Sequence, residues 1–88
     1  MKLRIASGVV FNQVGEELVL LDLNRGVYFG LDAIGARIWQ ALAEGVEEGE
    51  IANAIAAEYE TNSETALEDV RRLIAELREA GVVEDVER

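Results

Sequence analysis

Neither histidine nor cysteine occurs anywhere in the 88 residues, which removes the commonest general bases, nucleophiles and soft metal ligands at once. What remains able to do chemistry is carboxylate. Glu47, Glu48 and Glu50 cluster where a helix begins, a place where acidic side chains suit the positive end of the helix dipole, so they read as a solvated helix start. Glu84, Asp85 and Glu87 fall in the last residues and read as part of a frayed tail. No glycine-rich phosphate loop is present, because Gly26 and Gly30 each have a turn or strand explanation. The sequence therefore argues against a stand-alone enzyme and implies no metal and no cofactor.

The residues that organise the chain lie instead between Asp22 and Trp39, DLNRGVYFGLDAIGARIW. Asn24-Arg25-Gly26 reads as a three-residue hairpin with a bulge, its glycine taking the positive φ such a turn requires. Val27 to Leu31 is the returning strand. Asp32 then caps the helix amides that lack an intrahelical partner, so strand passes into helix without a linker.

Upstream, Val9 to Val14 lies between two glycines and reads as a first strand, with Leu3 and Ile5 extending or preceding it. Leu18 to Leu21 is continuously apolar, as expected of a central strand or one covered on both faces. The order is then a meander whose third strand, Val27 to Leu31, is an edge carrying no lysine or proline to discourage pairing. Alternation puts Val27, Phe29 and Leu31 on the core face and Tyr28 on the other, where contact with a partner is open to it.

From Asp32 the apolar period lengthens to that of a helix. Ile34, Ile38 and Leu42, with Gly35 and Trp39 beside them, mark one face of a helix ended by Gly45. A glycine at position 35 suggests a close backbone approach. A second helix starts near Glu47 or Glu48 and buries Ile51, Ala52, Ile55, Ala56 and Tyr59. Thr61-Asn62-Ser63 supplies the cap of a third, which runs to Ala80 before Gly81. At about 100° per residue, Ala66, Val70, Leu73, Leu77 and Ala80 form its core band, with Leu67 and Ile74 on one flank and Arg71 and Arg78 just beyond. Asp69, Arg72 and Glu76 occupy the opposite flank. Leu67 and Ile74 either widen the core stripe or form an apolar shelf with a cationic rim facing the open strand.

These elements predict one α+β domain over residues 1–88: a three-stranded antiparallel sheet followed by three helices, like a winged helix-turn-helix with its sheet moved to the front. No apolar run approaches the roughly 20 residues of a membrane span and MKLRIASG lacks a signal-peptide core, so a cytoplasmic protein is expected. A net charge of −10 opposes binding to phosphate backbones and suits solubility or a basic partner.

The segments LD-LNRG-VYFGLD-AIG-ARIW and DV-RRLIAELREAGVVED resemble the PqqD-like family of precursor-peptide recognition elements over about residues 8 to 85. The YFGLD-x-x-G-x-x-IW form is most similar to the stand-alone recognition proteins of lasso-peptide biosynthesis. The resemblance implies that the leader of a ribosomally made precursor peptide docks antiparallel to the third strand, in a groove against the third helix. Carried onto this chain, that groove is Val27, Tyr28, Phe29, Gly30 and Leu31 with Leu67, Val70, Arg71, Ile74 and Arg78. It also implies a tyrosine and a proline as leader anchors, and a non-catalytic role delivering the precursor to a leader peptidase and then to a ring-closing cyclase. Two other readings compete. A small winged-helix DNA regulator would place Arg71, Arg72 and Arg78 on phosphates, against the net charge and the acidic residues of the same helix. An acidic scaffold subunit would have no peptide groove at all.

Overall fold

The computed structural model describes residues 3–86. Five strands and three helices follow in the order β1 (Leu3–Ile5), β2 (Val9–Val14), β3 (Glu17–Asp22), β4 (Val27–Leu31), α1 (Ala33–Ala43), α2 (Glu48–Glu58), α3 (Ser63–Ala80) and β5 (Val83–Asp85). The expected meander is the antiparallel sheet β2-β3-β4, with β3 central, and the three helices follow it in an α+β, winged helix-turn-helix-like arrangement. The third strand of the sequence-based reading is thus β4.

A second, two-stranded sheet joins the ends of the chain, and it overturns the frayed-tail expectation. β1 pairs antiparallel with β5, Leu3 opposite Asp85 and Ile5 opposite Val83. Arg4 meets Glu84 across this pair at 2.6 Å, and Val82 and Val83 are buried in the core. Glu84 and Asp85 are therefore strand residues, while Glu87 lies outside the described residues. Val82 is drawn in by the end of α3: Gly81 adopts φ +80, and the Val82 N–H donates to the Leu77 carbonyl.

The β3 run is apolar throughout yet covered on one face only. Leu18, Leu20 and Asp22 are buried, whereas Val19 is exposed beside Val10 and Val14 on the outer face of the sheet. The core fills the space between the inner face and the helices, centred on Trp39, against which Phe11 stacks edge-on with ring centroids 5.5 Å apart. Gly35 brings α1 hard against the end of β4, since a Cβ there would lie 3.3 Å from that of Leu31. Two helical faces differ from expectation. Ile34 is 37% exposed because α1 buries Gly35, Ala36, Ile38, Trp39 and Leu42 instead, and Tyr59 is exposed beyond the last turn of α2.

The β3–β4 connection is one residue longer than the three-residue form. Asp22 pairs with Val27, so the loop is Leu23 to Gly26, with Gly26 at φ +70 and its N–H donating to the Asp22 carbonyl. Helices α1 and α3 begin as anticipated: Asp32 accepts from the Gly35 N–H at 2.8 Å and Asn62 from the Thr65 N–H at 2.7 Å.

Candidate functional site

Whether β4 can receive another chain depends on which of its backbone groups are already used. The Leu23 N–H donates to the Gly8 carbonyl at 2.9 Å, one step beyond the Val9–Asp22 pair. Because bonding alternates along an antiparallel ladder, Leu21 and Val19 turn their backbone groups to β2, and Asp22, Leu20 and Leu18 turn theirs to β4. Their partners there are Val27, Phe29 and Leu31. Tyr28 and Gly30 consequently point their N–H and C=O groups away from the sheet. Among the described residues β4 pairs with β3 alone, and the C-terminal segment that might have covered this border pairs with β1.

The side chains of β4 follow the expected alternation. Phe29 and Leu31 pack against the core, and Tyr28, 76% exposed, stands on the outer face at the open border. Val27 shares the inner parity but is exposed where the strand leaves the turn.

Beside Gly30 and Leu31 lies a cleft of about 400 Å³ whose far wall is α3. Its apolar floor is Leu31, Ile34, Ile38 and Leu73, and its polar rim is Asp32 at the start of α1 with Asp69, Arg72 and Glu76 of α3. Arg72 and Asp69 neutralise one another at 3.1 Å, which leaves Glu76 as the carboxylate of this wall with no ion-pair partner among the described residues. β2 also ends the sheet on its other side, but the cleft walled by α3 lies beside β4.

This wall is the opposite flank of α3 from the shelf expected in the sequence. Val70 and Ile74 are 0% and 1% exposed, held inside by α2 and the core, and Leu67 is half-buried against the same cluster. Arg71 reaches back to Glu48 of α2 at 3.0 Å, and Arg78 reaches Asp85 of β5 at 2.9 Å. Leu67 and Ile74 thus widen the core stripe, and the side chain that faces β4 is Leu73, placed in the core band by the sequence-based reading and half-buried in the structure. The signal that could have found it is Ile34, whose apolar side chain the packing of α1 leaves over, immediately before the glycine that presses on β4.

The same ion pairs weigh against phosphate binding. Arg71, Arg72 and Arg78 each engage a carboxylate of this chain, so α3 presents no basic face. Among the described residues no group of histidine, cysteine, aspartate and glutamate side chains is arranged to hold a metal ion. No helix is long and apolar enough to cross a membrane.

Comparison with known proteins bears on the same elements. The sequence profile of coenzyme PQQ synthesis protein D (PqqD) matches residues 17–83, from β3 into β5. Among solved structures, "TbiB1 in Complex with the TbiA(beta) Leader Peptide" is 41% identical over the whole of both chains, with a TM-score of 0.89. "Lasso peptide synthetase B1 complexed with the leader peptide" is 28% identical, the match covering 97% of this chain and 100% of that one, with a TM-score of 0.90. No curated protein matches.

Proposed function

This chain belongs to the PqqD family, and from that membership we propose that it is a non-catalytic recognition element for the leader segment of a ribosomally made precursor peptide in lasso-peptide maturation. The observation that carries the reading is the open border of β4, where Tyr28 and Gly30 offer two donors and two acceptors beside a cleft with an apolar floor and a charged α3 rim. An extended leader adds there as a further strand, antiparallel to β4: its backbone supplies affinity, and its alternate side chains enter the cleft and supply selectivity. Both similar structures carry a leader peptide by their own description, which supports the same role here.

The contact surface is then Val27 to Leu31 with Ile34, Asp69, Arg72, Leu73 and Glu76. Val70 and Ile74 act from behind, as the core that holds α3 in place, and Leu67, Arg71 and Arg78 anchor α3 to its neighbours. Delivery to a leader peptidase and then to a cyclase, within the cytoplasm and without a cofactor, completes the role.

The test is a fluorescence anisotropy titration with labelled leader peptides, namely the TbiA(beta) leader and the leader peptide of the lasso peptide synthetase B1 complex. Saturable one-to-one binding of either is expected. Absence of saturation with both would overturn the reading, and tight, salt-sensitive binding of duplex DNA in its place would restore the regulator.

A further inference from the structure

Asp22 is 3% exposed, a buried carboxylate at the end of the central strand. Its Oδ1 accepts from the backbone N–H of Asn24 at 3.0 Å and of Arg25 at 3.3 Å, and its Oδ2 lies 3.7 Å from Arg25 Nε. These bonds fix the turn from which β4 departs and aim its two polar side chains in different directions. The Asn24 side chain donates to the Ser7 carbonyl, between β1 and β2. The Arg25 Nη1 donates at 2.6 Å to the carbonyl of Ala80, the last residue of α3. That carbonyl is one of the acceptors a helix leaves unpaired at its C-terminus, where the dipole also favours a cation.

The approach is close enough to dictate the residue beneath it. A Cβ at Gly81 would stand 2.6 Å from Arg25 Nη2, so the glycine that ends α3 is also the surface on which the guanidinium rests. Leu31 lines the cleft together with Asp69 and Leu73, while Arg25 and Ala80 meet outside its lining, where the turn before β4 reaches the last residue of α3. β4 and α3 are the two walls of the proposed leader groove, and this contact is the direct side-chain bridge between the turn of one and the tip of the other.

We infer that Arg25 is a positioning residue for leader binding: by tying the β3–β4 turn to the C-terminus of α3 it sets the separation of the groove walls before any peptide arrives. The inference rests on the leader-binding reading for its consequence, though not for its geometry. A groove whose walls drift apart is competent for only part of the time, and apparent affinity falls by that fraction. A competent fraction of roughly 10–30% gives a loss of about 3- to 10-fold.

The experiment compares the full chain with Arg25→Ala and with Arg25→Gln, which keeps a side-chain donor. Spin labels at Leu23→Cys and Glu79→Cys, both exposed positions in a chain with no cysteine of its own, flank the contact. Arg25→Ala is expected to lose dipolar broadening between the labels and to bind the TbiA(beta) leader 3- to 10-fold more weakly, Arg25→Gln falling between. The loss should be the same factor for every alanine-substituted version of that peptide, because a strut touches none of its residues. Unchanged broadening and affinity in folded Arg25→Ala would overturn the inference. So would a loss that vanishes when one particular peptide residue is replaced, since that marks direct contact. Should the intact chain bind no leader, the functional reading fails, while the spin-label comparison still decides whether Arg25 holds the walls.

Discussion

Replacing Tyr28 by proline removes one backbone N–H that no strand among the described residues uses. The alternation of the ladder turns that N–H outward, so the fold loses no hydrogen bond, and proline is tolerated on edge strands for the same reason. A docked leader loses more. It forfeits one ladder bond, a net contribution of about 1 kcal/mol, and keeps a carbonyl with no donor, which costs about 1–3 kcal/mol. Together these give about 2–4 kcal/mol, or roughly a 30- to 800-fold weaker complex. The proper reference is Tyr28→Ala, which removes the exposed ring but keeps the donor. The control for parity is Phe29→Pro, whose N–H faces Leu20 in the middle of the sheet and whose loss should lower the urea midpoint markedly. Anisotropy titrations beside urea denaturation separate the two effects. If folded Tyr28→Pro binds a leader within 2-fold of Tyr28→Ala, strand addition at β4 is refuted.

The two flanks of α3 predict opposite outcomes. Leu73→Asp, in the wall of the cleft, should weaken leader binding at least 10-fold with a folded far-ultraviolet spectrum, whereas Ile74→Ala, fully buried, should cost about 2–5 kcal/mol of stability in urea denaturation and leave the affinity of the folded fraction intact. Arg71→Glu breaks an exposed pair with Glu48 and should change stability by about 1 kcal/mol or less and affinity by less than 2-fold; a large affinity loss on titration would return that flank to the binding surface. Glu76→Lys reverses the carboxylate of the wall that has no ion-pair partner among the described residues, so it should weaken binding of a leader with basic residues and strengthen binding of one with acidic residues, both effects shrinking as salt is raised in the titration buffer.

Local chemistry made much of this architecture legible. Asp32, Asn62 and Gly81 mark helix boundaries because each satisfies backbone groups within a few residues of itself, and the positive φ of Gly26 announces the turn before β4. The open edge was legible too, since Val27 to Leu31 lacks the residues that protect an edge. The pairing of β1 with β5 was not, because Leu3 and Asp85 carry no local signal and two three-residue strands are held by contacts remote in sequence. The alternating Leu3 and Ile5, and the apolar Val82-Val83 after the helix-ending glycine, are the traces it leaves. The choice between Leu73 and Ile74 was also out of reach. Adjacent apolar residues differ by only about 100° on a helix, and what decides which turns inward is the position of α2, a tertiary fact. That single rotation is why the cleft beside β4 is lined by the flank with Asp69, Arg72 and Glu76 and not by the arginine-edged one.

An unprotected strand edge beside an apolar-floored cleft attracts unwanted partners as well as intended ones, and the nearest unwanted partner is a second copy of the same chain. Two features of this chain act against that pairing while leaving a leader free to bind. The first is charge: each copy carries −10, so two sheets approaching edge to edge repel one another, whereas a neutral or basic peptide does not meet that barrier. The second is shape. α3 stands alongside β4 and leaves a cleft rather than an open flank, so a second folded sheet would have to bring its own helix into the space already held by this one. A lone extended chain has no such companion. The edge therefore discriminates by what accompanies an incoming strand as well as by its sequence, which explains how β4 can do without the lysines and prolines that guard other sheet edges.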